Sequence, residues 1–321
     1  MRNRLWVAVC LAVITPLVMS QTSGYPDKPI KVVVPLAAGS GGETFARFFA
    51  EKLAAILGQP FIVENAPGGN GIIGAMIVKR APADGYTILQ GTSAIISLNP
   101  ITIKNLPYDP IKDFKPVHGI LRGMNVFLVA ENSRLHSLAD LVAAAKSSKI
   151  PLSVGTFSPQ YQIAQEWFAS LAGTKFNNIP YKGGGAVVTD LIGGQLDFAV
   201  TDLSSSAPLI KAGRVRALAV SGDARHPLFP DIPTVRESGF PEFVNYSWGS
   251  FYVRAETPDE IVTKLADAMD KAMSTNEAKE FAVKTGGVEL MTLGPAAMRK
   301  FQMDEQARFQ GAAKTAGITP Q

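Results

Sequence analysis

The sequence predicts an α/β protein of more than one domain, and three observations carry that prediction. Apolar strand-like runs alternate with amphipathic helical runs along the chain. The 321 residues exceed the usual size of one domain, so two domains are expected. Apolar residues make up 46% of the chain, with both charge signs dispersed among them, which supplies ample core material.

The elements follow in order. "IKVVVPL" (30–36) is a buried strand, and 43–57 is an amphipathic helix ended by Gly58 and Pro60. "FIVENA" is a second strand, followed by the turn "PGGNG" at 67–71 and a helix over 72–80. "YTILQGTSA" is a third strand running into a small-residue loop, and "LPYDPIKDF" is a proline-punctuated connector. "MNVFLVAEN" is a strand, and Ser137 with Asp140 marks the start of a helix over 138–147. "PLSVGTFSPQYQIAQEWFASLAG" repeats the opening pattern of strand, small-residue turn and helix. Residues 178–213 read as two short helices around a strand, and "VRALAVSG" and "SWGSFYVR" are further strands. Thr257-Pro258-Asp259-Glu260 has the form of a helix start, with proline at the first helical position and Glu260 placed for a capping box. The last sixty residues read as two amphipathic helices.

The N-terminus is a separate object. Arg2 and Arg4 precede an apolar run of about fifteen residues and then Val18-Met19-Ser20, the pattern of a secretory signal cleaved after Ser20. A retained membrane anchor is the alternative, although the run is short for a bilayer span. Residues 1–20 are therefore expected to be removed and the protein exported. The only cysteine, Cys10, lies in that segment, which leaves the remainder without a disulfide or thiol nucleophile. The formal charge of +4 includes Arg2 and Arg4 and becomes +2 without them. No basic run interleaved with aromatics occurs, so nucleic acid is not an expected partner.

Catalytic constellations are missing from the sequence. His118, His136 and His226 are scattered, with no second ligand at metal-binding spacing, and no metal or cofactor is expected. There is no G-x-S-x-G elbow and no G-x-x-x-x-G-K-[ST] phosphate loop. "GSGGET" fails the dinucleotide fingerprint because Thr44 stands where its last glycine belongs. "YKGGG" at 181–185 lacks the full phosphate-loop spacing.

The chain instead supplies small-residue turns at strand ends: 38-AGSGGE-43, 91-GTSA-94, 155-GTFSPQ-160 and 201-TDLSSS-206. Glycine and serine let backbone approach a ligand and turn several N–H groups toward one spot. Helices starting near 43 and 160 add partial positive charge there, a cradle suited to a carboxylate or phosphate without arginine. Charge-assisted hydrogen bonds contribute roughly 1.5–3 kcal/mol each, so three at each end of a two-carboxylate ligand give on the order of 10–15 kcal/mol. Association costs at least about 4 kcal/mol, leaving near the roughly 8 kcal/mol of a micromolar complex. Glu43 either turns toward its own helix N-terminus or meets an ammonium on an amino-acid ligand. Phe157, Tyr161 and Trp248 either line an aromatic-tolerant pocket or belong to the core.

Seven stretches in fixed order resemble one family along nearly the whole chain. They are 25-YPDKPIKVVVPLAAGSGGETFAR-47, 64-ENAPGGNGIIGA-75, 84-DGYTILQGTSA-94, 106-LPYDPIKDFKPV-117, 180-PYKGGGAVVTDLIGGQLD-197, 216-RALAVSGDARHPLFPDIPTVRESG-239 and 247-SWGSFYVRAETP-258. The family is the Bug family, periplasmic substrate-binding components of tripartite tricarboxylate transporters. The resemblance implies a two-lobed periplasmic-binding-protein fold of type II, each lobe a mixed sheet flanked by helices, with two crossover strands. Lobe 1 would be 25–123 plus 249–321 and lobe 2 would be 124–248. It also implies a carboxylate held between the lobes, large and small permease subunits as partners, and a monomer that reacts nothing.

The family's ligand-binding role maps onto Leu36, Ala38, Gly39, Ser40, Gly41, Gly42 and Glu43 in the first loop and Thr92, Ser93 and Ala94 in the second. In lobe 2 it maps onto Phe157, Ser158, Pro159, Gln160 and Tyr161, and onto Thr201 and Asp202 at the end of "LDFAV". The chain departs from the family pattern at Ala38, Ser40, Gly42, Glu43, Gln162 and Thr201. The class of ligand therefore carries over better than its identity, and a neutral Thr201 argues against an ammonium-bearing ligand. Two other readings stand beside transport: an exported hydrolase, disfavoured by the lack of a nucleophile–base pair, and a ligand-loaded sensor docking to a receptor ectodomain.

Overall fold

A computed structural model describes residues 24–36, 38, 40–317 and 320. The expected signal segment and Gly39 lie outside the described residues. The chain opens with β1 (Ile30–Val34), α1 (Gly41–Leu57), β2 (Phe61–Asn65), α2 (Ile72–Arg80) and β3 (Thr87–Thr92). Parallel pairing of β1 with both β2 and β3 follows from the intervening helices, which carry the chain back across the sheet. α1 starts two residues before the expected position because Ser40 takes the cap, its hydroxyl accepting from Glu43 N. Gly58 closes the helix in the left-handed conformation at φ 73°.

After β3 the backbone turns through a π-helical segment, Ala94–Leu98, into the short α3 (Asn99–Thr102). The strand expected from residue 124 starts ten residues earlier, since β4 runs Phe114–Ala130. Pro116, Gly119 and Gly123 read as breaks in the sequence, yet the strand absorbs two of them as irregularities in its pairing with β9 (Tyr246–Arg254), between Pro116 and His118 and between Gly119 and Leu121.

The second half is built from α4 (Leu138–Ser147), β5 (Ser153–Thr156), α5 (Pro159–Ala172), β6 (Asn177–Pro180), α6 (Gly184–Ile192), β7 (Phe198–Asp202), α7 (Leu203–Lys211) and β8 (Val215–Val220). The sheet order is β2-β1-β3-β9-β4-β7-β5-β6, with β8 also on β4. β4 joins the halves, since Phe114–Met124 pair with β9 while Asn125–Ala130 pair with β7 and β8. Each half has its own core. One gathers Val32, Phe49, Ile88, Phe251 and Leu265, and the other Phe127, Phe168, Phe198 and Phe243.

The C-terminal region differs from the expected pair of helices. It holds α8 (Asp259–Met273), α9 (Asn276–Lys284), the two-residue β10 (Glu289–Leu290) on β4, and α10 (Pro295–Ala316). Gly286 and Gly287, at φ 91° and 77°, make the tight turn that separates α9 from β10. The capping box at 257–260 does not form. Pro258 is extended at ψ 140° and itself occupies the cap, its carbonyl accepting from Ile261 N (3.1 Å) and Val262 N (3.2 Å). α10 lies across both halves: its Phe309 packs with Leu98 and Ile163, and Thr315 O accepts from Ser170 Oγ at 2.8 Å.

Candidate functional site

Elongated strand ends and helix starts from both halves enclose a cavity of about 390 Å³. Its placement matches the rule that ligands in α/β sheets bind outside the carboxyl ends of the strands. On the first half it is lined by Leu36, Ser40, Gly41 and Gly42 after β1, and by Thr92, Ser93 and Ala94 after β3. On the second half Phe157, Ser158, Gln160 and Tyr161 at the head of α5 and Asp202 at the end of β7 complete it. Ala38, Glu43, Pro159 and Thr201 do not line it.

Glu43 shows why. Its carboxylate is buried and ion-paired with Arg47 one turn along α1, which occupies the charge in holding the helix. Thr201 is fully buried, its hydroxyl 2.9 Å from Ser206 Oγ. Asp202 borders the cavity as the cap of α7, accepting from Ser205 N (2.8 Å) and Ser204 Oγ (2.9 Å). Its negative charge therefore sits where the helix N-terminus favours it.

The two anion-type jaws are differently equipped. At α1, the N–H groups of Gly41 and Gly42 have no partner inside the helix. A Cβ at Gly42 would lie 2.6 Å from Leu36 Cδ1, so a larger residue there would have to displace the Leu36 side chain that lines the cavity. At α5, Ser158 occupies the cap without a side-chain capping bond, so its hydroxyl is not committed to the helix. Burial, and after it the Asp202 charge, pushes the Tyr161 phenol well above its ordinary range, which keeps it a proton donor.

Further residues complete the wall, and of these only Trp248 and Ser204 lie where the sequence points to the site. Gln90 is buried inside β3 and ties the strand to the first jaw, Nε2 donating to Gly42 O at 2.6 Å. Ser247, Trp248 and Gly249 come from β9, Leu121 and Met124 from β4, Ser204 from α7, and Thr285 and Val288 from the turn after α9. Of the two open roles for Phe157, Tyr161 and Trp248, all three line the cavity, and Tyr161 and Trp248 are also buried. Among the described residues, no lysine, arginine or histidine lines the cavity, and no cluster of His, Cys, Asp or Glu could hold a metal. No helix among them is long and apolar enough to cross a membrane. A shallower groove of about 710 Å³ along 100–113 shares no residue with the cavity.

Behind Trp248, whose ring meets Phe301 edge-on at 5.4 Å, α10 also carries Glu305, which is 1% exposed and 2.8 Å from Arg308. Burial raises its carboxyl above the ordinary value, outweighing Arg308. A raised folded-state value means that the contribution of Glu305 to stability is present below about pH 4.3 and is lost as pH rises through the raised value. Glu305→Gln is therefore expected to stabilise the fold at pH 7 and to be neutral at pH 4. Urea unfolding at the two pH values checks this, and an equal effect at both contradicts it.

The comparisons with known proteins agree on one family. Residues 45–318 match the family described as "Tripartite tricarboxylate transporter family receptor" (TctC). BugT of Bordetella pertussis is 30% identical over 296 residues, covering 91% of this chain and 90% of BugT. Among solved structures, R. palustris Rpa4515 with adipate superposes with a TM-score of 0.84 at 32% identity, covering 92% of this chain and 100% of that one. MatC from Rhodopseudomonas palustris with bound malate gives 0.78 at 26% identity, covering 90% and 99%. The fold is thus the two-lobed α/β fold of periplasmic binding proteins, in a family of solute-binding receptors and not of enzymes. This chain belongs to the tripartite tricarboxylate transporter receptor family, among the Bug proteins.

Proposed function

We propose that the protein is a periplasmic solute-binding protein that captures an organic carboxylate between two lobes and hands it to a membrane permease. The observation that carries this reading is the cavity itself, where two helix N-termini and several hydroxyls face an apolar wall and no lysine, arginine or histidine takes part. Backbone N–H groups at helix starts favour an anion, and the apolar wall favours an aliphatic or aromatic body. The adipate and malate held by two structural relatives support the same ligand class.

In this reading 25–123 plus 249–321 form one lobe and 124–248 the other, and they close on the ligand by hinge motion at β4 and β9. The binding residues are Leu36, Gly39 to Gly42, Thr92 to Ala94, Phe157, Ser158, Gln160, Tyr161 and Asp202, while Ala38, Glu43, Pro159 and Thr201, which stand off the cavity wall, shape the loops that carry them. The partners are the large and small permease subunits, the protein acts as an exported monomer after cleavage near Ser20, and no cofactor or nucleic acid takes part.

A thermal-shift panel tests the ligand class. Di-, tri- and aromatic carboxylates raise the melting temperature by linkage, while the corresponding amides and diesters do not. Amides that stabilise as well as acids would sink the carboxylate reading. The placement of the second jaw has its own test. Ser158→Ala is expected to weaken the binding of the stabilising acids by about 10-fold with little change in unliganded stability. Unchanged affinity by calorimetry would remove Ser158 from the site.

A further inference from the structure

Four side chains form one hydrogen-bonded line between the two halves. Ser93 Oγ donates to Gln160 Oε1 at 2.7 Å, Gln160 Nε2 donates to Ser247 Oγ at 2.7 Å, and Ser247 Oγ donates to Asn125 Oδ1 at 3.1 Å. The line starts at the end of β3, crosses to α5, passes to β9 and ends on β4. Ser93, Gln160 and Asn125 are all buried, and Ser93, Gln160 and Ser247 border the cavity. Asn125 does not line the cavity, and its Nδ2 has no hydrogen-bond partner among the described residues.

Every member of the line can take either role. A hydroxyl donates and accepts, and a primary amide exchanges oxygen and nitrogen by a half-turn of its last torsion. Two polarities are therefore self-consistent. In the observed one every hydrogen points from Ser93 toward Asn125, so Ser93 offers the cavity only lone pairs. In the reversed one Asn125 Nδ2 donates to Ser247, Ser247 to Gln160, and Gln160 Nε2 to Ser93, which frees the Ser93 hydrogen for the cavity. The first suits a ligand donor such as an amide N–H, and the second suits a carboxylate, which only accepts. Reversal moves the Asn125 bond from Oδ1 to Nδ2 and keeps three bonds in the line, so the line is a two-state element of equal bond count that a ligand can bias.

We propose that the Ser93–Gln160–Ser247–Asn125 line is a reversible hydrogen-bond relay that sets the preference of the cavity for carboxylate over amide. Asn125 is its positioning residue and acts without touching the ligand. Only hydrogens and amide torsions turn, and no proton leaves the line. The proposal rests on the reading of the cavity as a carboxylate site.

Asn125→Asp tests it, because a carboxylate at the end of the line only accepts and locks the observed polarity. Its charge also acts on the ligand directly, and a cycle with Ser93→Ala removes that contribution. Calorimetry with adipate against adipamide, and malate against malamide, gives the acid-to-amide affinity ratio. Asn125→Asp is expected to lower this ratio at least about 10-fold more in the Ser93 background than in the Ser93→Ala background, where the relay has no output. Equal effects in both backgrounds overturn the relay and leave the carboxylate reading standing. A wild-type protein that prefers neither acid to its amide removes the reading and the relay together. Nuclear magnetic resonance of wild-type protein labelled with ¹⁵N-asparagine needs no variant. On saturation with the preferred acid, one Asn125 side-chain amide proton moves downfield as it gains a bond, and an unmoved signal overturns the relay.

Discussion

Gly286→Val is expected to lower affinity for the stabilising acids by about 100-fold or more while both halves remain folded. A Cβ at Gly286 would stand 2.6 Å from Ser204 Cα and 2.6 Å from Ser204 O, both backbone atoms that cannot swing away. Gly286 lies in the turn after α9 and Ser204 at the start of α7, and their neighbours Thr285 and Val288 line the cavity together with Ser204. The φ of 91° adds strain for any residue with a side chain. The same turn is held to the second half by the His226 ring, whose Nε2 lies 2.6 Å from Gly287 O. A branched side chain wedges the two halves apart at the cavity mouth, and a binding-competent form that is rarely populated lowers apparent affinity in proportion. Calorimetry gives the affinity and small-angle scattering gives the separation of the halves. Affinity within threefold of wild type would show that contact at this turn is dispensable.

Phe127→Ala is expected to destabilise the protein by about 3–5 kcal/mol. Phe127 is fully buried on β4, with its ring 4.9 Å from that of Phe168 and 5.9 Å from that of Phe243. Alanine would leave a hole among large rings held by α5 and by the 240–243 turn, which have little freedom to collapse into it. The midpoint of thermal unfolding should fall on the order of 10 °C, and saturating acid should recover part of the loss through linkage. The ring does not line the cavity, so affinity measured well below the midpoint should be nearly unchanged. A loss under 1 kcal/mol would mean that the ring cluster is not the core of this half.

The two predictions depend on the sequence to different degrees. Phe127 belongs to a run whose apolar character alone marks a buried strand, and the opposing aromatics come from equally apolar segments. The turns at the ends of β1, β3, β5 and β7 were legible for a related reason: a small residue between an apolar strand and an amphipathic helix is a local signal. Ser40 as the cap of α1 is fixed by residues within one turn of it. The Gly286–Gly287 turn announces a bend, but nothing near it reveals that the bend rests on Ser204 from the other half.

The rest of the cavity wall was not local information. Gln90, Leu121, Met124 and Ser247 sit inside strands, where a polar residue or an apolar one looks like any other strand position. The length of β4 was hidden by Pro116, Gly119 and Gly123, since a bulged pairing with β9 absorbs the first two and Gly123 pairs regularly with Ser247. Glu43 shows the same limit at a single residue, since its first-turn position is readable while its pairing with Arg47 and its burial depend on the packing around α1.

By itself the sequence determined the alternation of strand and helix, the small-residue turns at strand ends, and the absence of a nucleophile–base pair or metal-ligand spacing. These are properties of short windows, governed by periodicity, backbone freedom and residue chemistry. Only the tertiary structure decided which turns face one another, that β4 and β9 place Asn125 and Ser247 in line with Ser93 and Gln160, and that Glu43 and Thr201 do not line the cavity. Those facts depend on pairings between residues up to more than a hundred positions apart, and such pairings are set by the packing of whole layers.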